Sequence, residues 1–195
     1  MEQEALAGTV IWLTGMPGAG KTTIARAFVA RMQTFAIRST MLDGDALRAG
    51  LNADLGFSAE DRMENIRRVA HVAALFGKEG YIAVTATISP HPGHRASARQ
   101  IIGNESFVEV FVDTPLHVCE MRDPKGLYKR ARQGEIEQFT GLDAAYHAPV
   151  NPDLTVRTQG VSVDACVQQI IEHLASKGRI ESAWRPVQRQ LRVPR

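Results

Sequence analysis

An excess of charge of either sign is missing from this sequence. It carries 23 Lys and Arg against 21 Asp and Glu, a net charge of +2. That is too weak a field to draw nucleic acid or a membrane surface to the whole molecule, so neither is expected as a partner. Any anion must be bound by local arrangement. Cysteine is equally scarce. Cys119 and Cys166 are the two in the chain, far apart and without metal-ligand spacing, which excludes a disulfide framework and predicts two buried thiols in a reducing compartment. No apolar run approaches ~20 residues, the length a bilayer-spanning helix needs. Met1 to Gly8 is acidic and lacks the basic start and apolar stretch of a signal peptide, so a cytoplasmic location is expected.

What is present suits a globular α/β domain. Apolar residues make up 44% and charged residues 23% of the 195 positions, enough for a single core. Thr9 to Thr14 is a nearly continuous apolar run with β-branched residues, the pattern of a parallel strand covered on both faces. Further strands are expected at Ser39 to Leu42, Tyr81 to Ile88 and Phe107 to Val112, with a weaker fifth at Leu154 to Val156. Helices are expected at Lys21 to Met32, Ala59 to Lys78 and Val163 to Ala175. Ser58-Ala59-Glu60-Asp61 reads as the capped start of the long helix, with Gly80 just past its end. Strands alternating with helices predict a single-domain, mostly parallel five-stranded sheet with helices on both faces. Two segments lack periodicity. Arg122 to Pro152, rich in Lys, Arg, Gly and Pro, reads as a mobile lid. Residues 178–195 read as an extension to a domain spanning 1–177.

Gly15-Met16-Pro17-Gly18-Ala19-Gly20-Lys21-Thr22 matches G-x-x-x-x-G-K-[ST] in full. Glycines let the backbone curl so that several N–H groups face one anion, and the helix that follows adds its positive end. With Thr23 these residues are the candidate ATP site: Lys21 for the β- and γ-phosphates, Thr22 for the magnesium ion that accompanies ATP. Because a buried strand precedes this loop and an amphipathic helix follows it, a P-loop NTPase fold is expected.

The loop identifies the donor and leaves the acceptor open. Acceptor residues are expected at neighbouring strand ends. Asp43-Gly44-Asp45 closes the second strand, where Asp45 could take a hydroxyl proton or hold magnesium through water. Arg48, Arg62 and Asn65 suit an acceptor with several anionic oxygens; Arg67 and Arg68 read as a solvated face. Ser89, after Ile88, could bind an oxygen or cap the next element. Lys125, Gly126 and Leu127 sit in the cation-rich lid. Phe57 and Phe139 are loop aromatics able to stack on a base.

Leu42-Asp43-Gly44-Asp45, Leu55-Gly56-Phe57-Ser58 with Asp61-Arg62, Glu64 to Arg68, Ile88-Ser89-Pro90, Val112-Asp113-Thr114-Pro115, Asp123 to Tyr128 and Phe139-Thr140-Gly141 occur in one order that closely resembles the adenylylsulfate kinase family. The resemblance covers about Gly8 to Asp153. It implies transfer of phosphate from ATP to the 3′-hydroxyl of adenylyl sulfate, with Mg2+ as the cofactor. It implies that Asp45 works with the metal near that hydroxyl. Sulfonucleotide contacts fall on Arg48, Arg62, Asn65, Ile88, Ser89, Lys125, Gly126 and Leu127, with the adenine between Phe57 and Phe139. The family often assigns the Ser of the Ile-Ser-Pro motif, here Ser89, a phosphoserine role, which makes Ser89 a catalytic candidate beside Lys21 and Asp45. A homodimer, and association with ATP sulfurylase, are the implied partners. The chain departs from the pattern after Ser89. Thr87 stands where Phe is usual, and His91-Pro92-Gly93-His94-Arg95 replaces an aromatic residue followed by Arg, leaving Arg95 as the candidate to stand in for that charge. This departure keeps a second acceptor, another nucleotide-activated acid, as the alternative. A non-catalytic nucleotide-binding domain docked on a sulfurylase is disfavoured by the presence of Lys21, Thr22 and Asp45 together.

Overall fold

The computed structural model describes residues 8–180. Its sheet has five parallel strands in the order β2-β3-β1-β4-β5. The strands are β1 (Thr9–Thr14), β2 (Ser39–Asp43), β3 (Ile82–Ala86), β4 (Phe107–Asp113) and β5 (Leu154–Arg157). The helices are α1 (Lys21–Thr34), α2 (Gly44–Ala49), α3 (Ala59–Lys78), α4 (Pro92–Ile102), α5 (Leu116–Arg122), α6 (Leu127–Arg132) and α7 (Val163–Ser176).

Strand β1 is buried along its whole length. Its side chains alternate between two cores, as a period of two requires. Ile11 and Leu13 join the layer built with α1 and α7. Val10 and Trp12 join the layer built with α3 and α4. Helix α3 turns Ile66, Val69, Ala70 and Ala73 inward. Ser58 caps it, its hydroxyl accepting the Asp61 N–H at 3.1 Å. The opposite face carries Arg67 and Arg68, paired with Glu64 and, for Arg68, Asp54. Both cysteines are free and buried.

Four helices, α2, α4, α5 and α6, escape the sequence reading. Helix α4 begins with Pro92 at its first turn, where the missing N–H has no intrahelical partner to lose and the fixed φ already suits a helix. Helices α2 and α6 have six residues each, too few for a 3.6-residue period to show. The third strand is also shorter than expected, because Thr87 to Pro90 leaves the sheet and turns over the crevice. The expected lid thus has structure of its own: the Asp123 carboxylate accepts the N–H groups of Tyr128 and Lys129 in the first turn of α6. Asp143 holds a second turn through the N–H groups of Gln138 and Phe139. Of the expected C-terminal extension, Ile180 is buried in the core, while residues 181–195, Trp184 among them, lie outside the described residues.

Arg95 does not face the crevice. Its guanidinium forms an ion pair with Glu109 on β4 at 2.9 Å and donates to the Ser89 carbonyl, also at 2.9 Å. Both side chains are about nine-tenths buried or more. Removing one member of such a pair leaves an uncompensated buried charge. Arg95→Met is therefore expected to lower stability by about 3 kcal/mol in urea unfolding. Adding Glu109→Leu should recover most of that loss; an Arg95→Met variant as stable as the parent would contradict this account.

Candidate active site

The crevice lies at the carboxyl ends of the strands and encloses about 1110 Å³. Drug-sized ligands fill roughly 300–1,000 Å³, so the cavity has room for two nucleotides rather than one. The P-loop forms its floor, directly after β1. The ends of β3 and β2 form one wall, the ends of β4 and β5 the other, and the segment carrying α6 closes the top.

The loop's curvature rests on its glycines. Gly18 has φ +74°, and a Cβ there would stand 2.8 Å from the Cys119 carbonyl oxygen. Gly20 caps α1 at φ +106°. Neither position admits an L side chain without strain. Three donors fasten the loop's underside by converging on the Ala19 carbonyl: the hydroxyls of Thr114 and Thr158 at 3.1 and 3.2 Å, and the Arg122 guanidinium at 3.3 Å. Tyr128 of the lid adds a bond to the Pro17 carbonyl at 2.9 Å. The sequence reading gave no role to Thr114, Arg122, Tyr128 or Thr158, since each contacts the loop across a long sequence separation.

Lys21 is buried and folds back over the loop, donating to the carbonyls of Gly15 and Met16, both at 2.7 Å. Burial lowers its pKa to about 8. Thr22 donates its hydroxyl to the Asp43 carboxylate at 2.9 Å. Asp43 is also the N-cap of α2, accepting the N–H groups of Asp45 and Ala46. Sequence reasoning put the metal on Thr22 and Asp45; the carboxylate in contact with Thr22 is Asp43. The signal was available in the same Asp-Gly-Asp motif, but alternation along one turn does not tell which carboxylate faces the loop.

Asp45 projects into the cavity and pairs with Lys125 of the lid. Arg48 donates to the Gly56 carbonyl at 2.9 Å and lies over the Phe57 ring, 4.5 Å from its centre. Arg62 donates to the carbonyls of Phe57 and Gln138, at 2.9 and 3.0 Å. Asn65 is buried, and its oxygen accepts from Asn52 at 2.9 Å, which leaves its amide N–H groups for another partner. Phe57 is 62% exposed at the mouth, whereas Phe139 is buried edge-on to Tyr128, with centroids 4.9 Å apart; both border the cavity. Leu127 also lines it, and Gly126 caps α6 in a left-handed conformation. Ser89 is buried with φ +39°, and its hydroxyl accepts the Trp12 indole N–H at 3.1 Å. The Ile88 carbonyl accepts the Thr14 hydroxyl at 2.7 Å.

A phosphate cradle on a parallel sheet, with carboxylates and guanidiniums converging from adjacent strand ends, is the construction of a P-loop phosphotransferase. The chain belongs to the adenylylsulphate kinase family, whose model matches residues 7–157. An adenylyl-sulfate kinase of Paraburkholderia xenovorans is 53% identical over 90% of this chain and 98% of its own length. One from Clostridium acetobutylicum is 50% identical over 86% and 83%. Among solved structures, the Mycobacterium tuberculosis APS kinase CysC in complex with AMPPNP and APS superposes with a TM-score of 0.84 at 47% identity, covering 86% of this chain and 98% of that one. A gluconokinase from Sinorhizobium meliloti, 14% identical with a TM-score of 0.57, shares the fold.

The lowered Lys21 pKa has a measurable consequence. A triphosphate stabilises the ammonium form and raises the pKa again, so binding takes up protons. At about pH 8 the uptake should approach roughly half a proton per ATP, falling to roughly a tenth at about pH 7. Calorimetry in buffers of different ionisation enthalpy, with magnesium in excess, measures it; no uptake at pH 8 would contradict a half-ionised Lys21.

Proposed function

We propose that this chain is an adenylyl-sulfate kinase that transfers the γ-phosphoryl group of ATP to the 3′-hydroxyl of adenylyl sulfate, giving ADP and 3′-phosphoadenylyl sulfate. The observation that carries this reading is the single cavity that joins a complete P-loop to Asp45, Arg48, Arg62, Asn65, Phe57 and Phe139. One ligand of that cavity is a triphosphate; the other needs a hydroxyl, anionic oxygens and a flat base.

The roles follow from position. Residues Gly15 to Thr23 hold the ATP phosphates through backbone N–H groups, with Lys21 turning from the Gly15 and Met16 carbonyls to phosphate oxygens. The Thr22 hydroxyl and Asp43 carboxylate, side by side, are hard oxygen donors that fit Mg2+ and would hold it, with Asp45 as a further oxygen donor. Such an ion would supply neutralisation of the phosphate charge. Asp45 orients the acceptor hydroxyl and receives its proton as the O–P bond forms. Arg48, Arg62, Asn65 and Lys125 hold the phosphosulfate, with Ile88, Gly126 and Leu127 shaping the pocket around it. Phe57 and Phe139 flank the adenine. Ser89 is a positioning residue in this reading: its hydroxyl oxygen accepts the Trp12 indole N–H beneath the crevice, and in-line transfer needs no covalent intermediate. Pairing with a second copy of the chain, association with ATP sulfurylase and a cytoplasmic location belong to the same proposal; among the described residues no helix is long and apolar enough to cross a membrane.

Steady-state release of ADP with adenylyl sulfate, beside a cytidine-based analogue, tests the reaction; negligible turnover of adenylyl sulfate would sink it. Asp45→Asn should keep ATP binding while kcat falls by roughly two to four orders of magnitude. Ser89→Ala separates the two roles for that residue. Retention of kcat to within about tenfold is expected for a positioning group, whereas loss of nearly all turnover would restore the covalent one.

A further inference from the structure

The segment after Ser89 is where this chain leaves the pattern it otherwise follows, and one of its side chains remains unspent. Arg95 is committed to Glu109 and the Ser89 carbonyl. His91 sits outside the cavity lining, edge-on to His147 at 5.4 Å between centroids. His94 is different. It lies in the first turn of α4, borders the same cavity as Arg62, Ser89 and Thr140, and is 7% exposed. Among the described residues neither ring nitrogen makes a hydrogen bond, and Nδ1 is sealed from solvent without a partner. A buried polar group without a partner is destabilising and uncommon in native folds. Here the ring adjoins a cavity built to be filled, and with Nδ1 sealed its other nitrogen, Nε2, is the atom left to meet a ligand.

Topology says which ligand. α4 follows β3, and β3 with β2 forms the wall that carries Asp45, Arg48 and Ser89; the other wall, from β4 and β5, carries Arg122 and Thr158. His94 therefore faces the acceptor. Its charge state suits the task. Burial, with His91, Arg62 and Arg95 nearby, holds its pKa down to about 4, so the ring is neutral and carries one N–H. With Nδ1 sealed, the edge left to face the cavity is Nε2.

We propose that His94 is a specificity-determining residue of the acceptor site, donating from Nε2 to an oxygen of the bound sulfonucleotide's phosphosulfate group beside Arg62. This rests on the adenylyl-sulfate reading above, and deepens it: a neutral donor adds directional recognition next to a guanidinium without adding a further charge to be desolvated.

Steady-state kinetics of His94→Ala, His94→Gln and His94→Asn in the full chain test it. His94→Ala is expected to raise KM for adenylyl sulfate on the order of tenfold, leaving KM for ATP within about twofold and kcat within about threefold. Gln places its amide N–H near the Nε2 position and should restore most of the affinity; Asn, which reproduces the sealed Nδ1 edge, should not. An unchanged KM for adenylyl sulfate in His94→Ala overturns the proposal. So does a parallel loss of kcat and of both substrate affinities that Gln fails to rescue, the signature of a packing role. If His94→Ala does not fold, the Gln and Asn variants decide alone, equal KM values overturning the proposal. Wild-type turnover keeps the readings apart. No turnover of adenylyl sulfate by the parent removes the function, whereas turnover with kinetically silent His94 variants removes this contact alone.

Discussion

Burial of β1 on both faces is the constraint from which the rest of this structure follows. Its interior residues are fully excluded from solvent, and it pairs with β3 on one side and β4 on the other. A strand with no polar face is stable only where helices cover both sides of the sheet. That places its carboxyl end at the centre of the sheet's upper edge, where ligands bind in open α/β folds. The phosphate cradle is central because the strand beneath it is the most buried one. Its neighbours then supply the two walls: β3 and β2 deliver acceptor groups, β4 and β5 deliver the contacts that brace the loop.

The site's cations are arranged around a second constraint, the absence of any large net charge. Lys21 lies on two carbonyls, Arg48 on the carbonyl of Gly56, Arg62 on those of Phe57 and Gln138, and Lys125 on Asp45. Each is held by a partner of modest strength, with a neutral carbonyl in all but the last case. An ionised oxygen makes a bond roughly twice as strong as a neutral one. Incoming phosphate and sulfate oxygens therefore displace these partners without the cations having to be gathered first. Preorganisation of this kind supplies local anion affinity that the overall charge of +2 does not.

How far the sequence could be read depended on the range of the interactions involved. The P-loop, the apolar β1 and the capped α3 were legible because each is written within a dozen or so consecutive residues. Helix α4 was not, because Pro92-Gly93 carries the same letters as a loop and only the helix beyond it shows that the proline opens a first turn. Asp43 and Asp45 could be placed at a strand end from sequence, but the choice between them depends on where α1 sets the Thr22 hydroxyl. Arg95 looked like a free cation until β4 brought Glu109 beside it. Phe139 read as a loop aromatic because its burial comes from Tyr128, on a lid helix too short to announce itself. Apart from α4, where the ambiguity is local, the missing information in each case was a contact between different elements of the chain.

The Asp45–Lys125 pair connects these themes to catalysis. Both side chains are more than half exposed, so the pair itself adds little to stability. Its importance lies in what must replace it. In the proposed reaction Asp45 needs a hydroxyl as its partner and Lys125 needs anionic oxygens, and these arrive only when the acceptor is bound. An acceptor that supplies one without the other leaves a charged group with a worse partner than it had before. The exchange therefore favours a ligand carrying both a hydroxyl and an acid at the right separation over water, which has the hydroxyl alone. Recognition of the acid end and release of the carboxylate at the hydroxyl end become one event. This is how remote binding energy is directed to the reacting centre rather than to affinity alone.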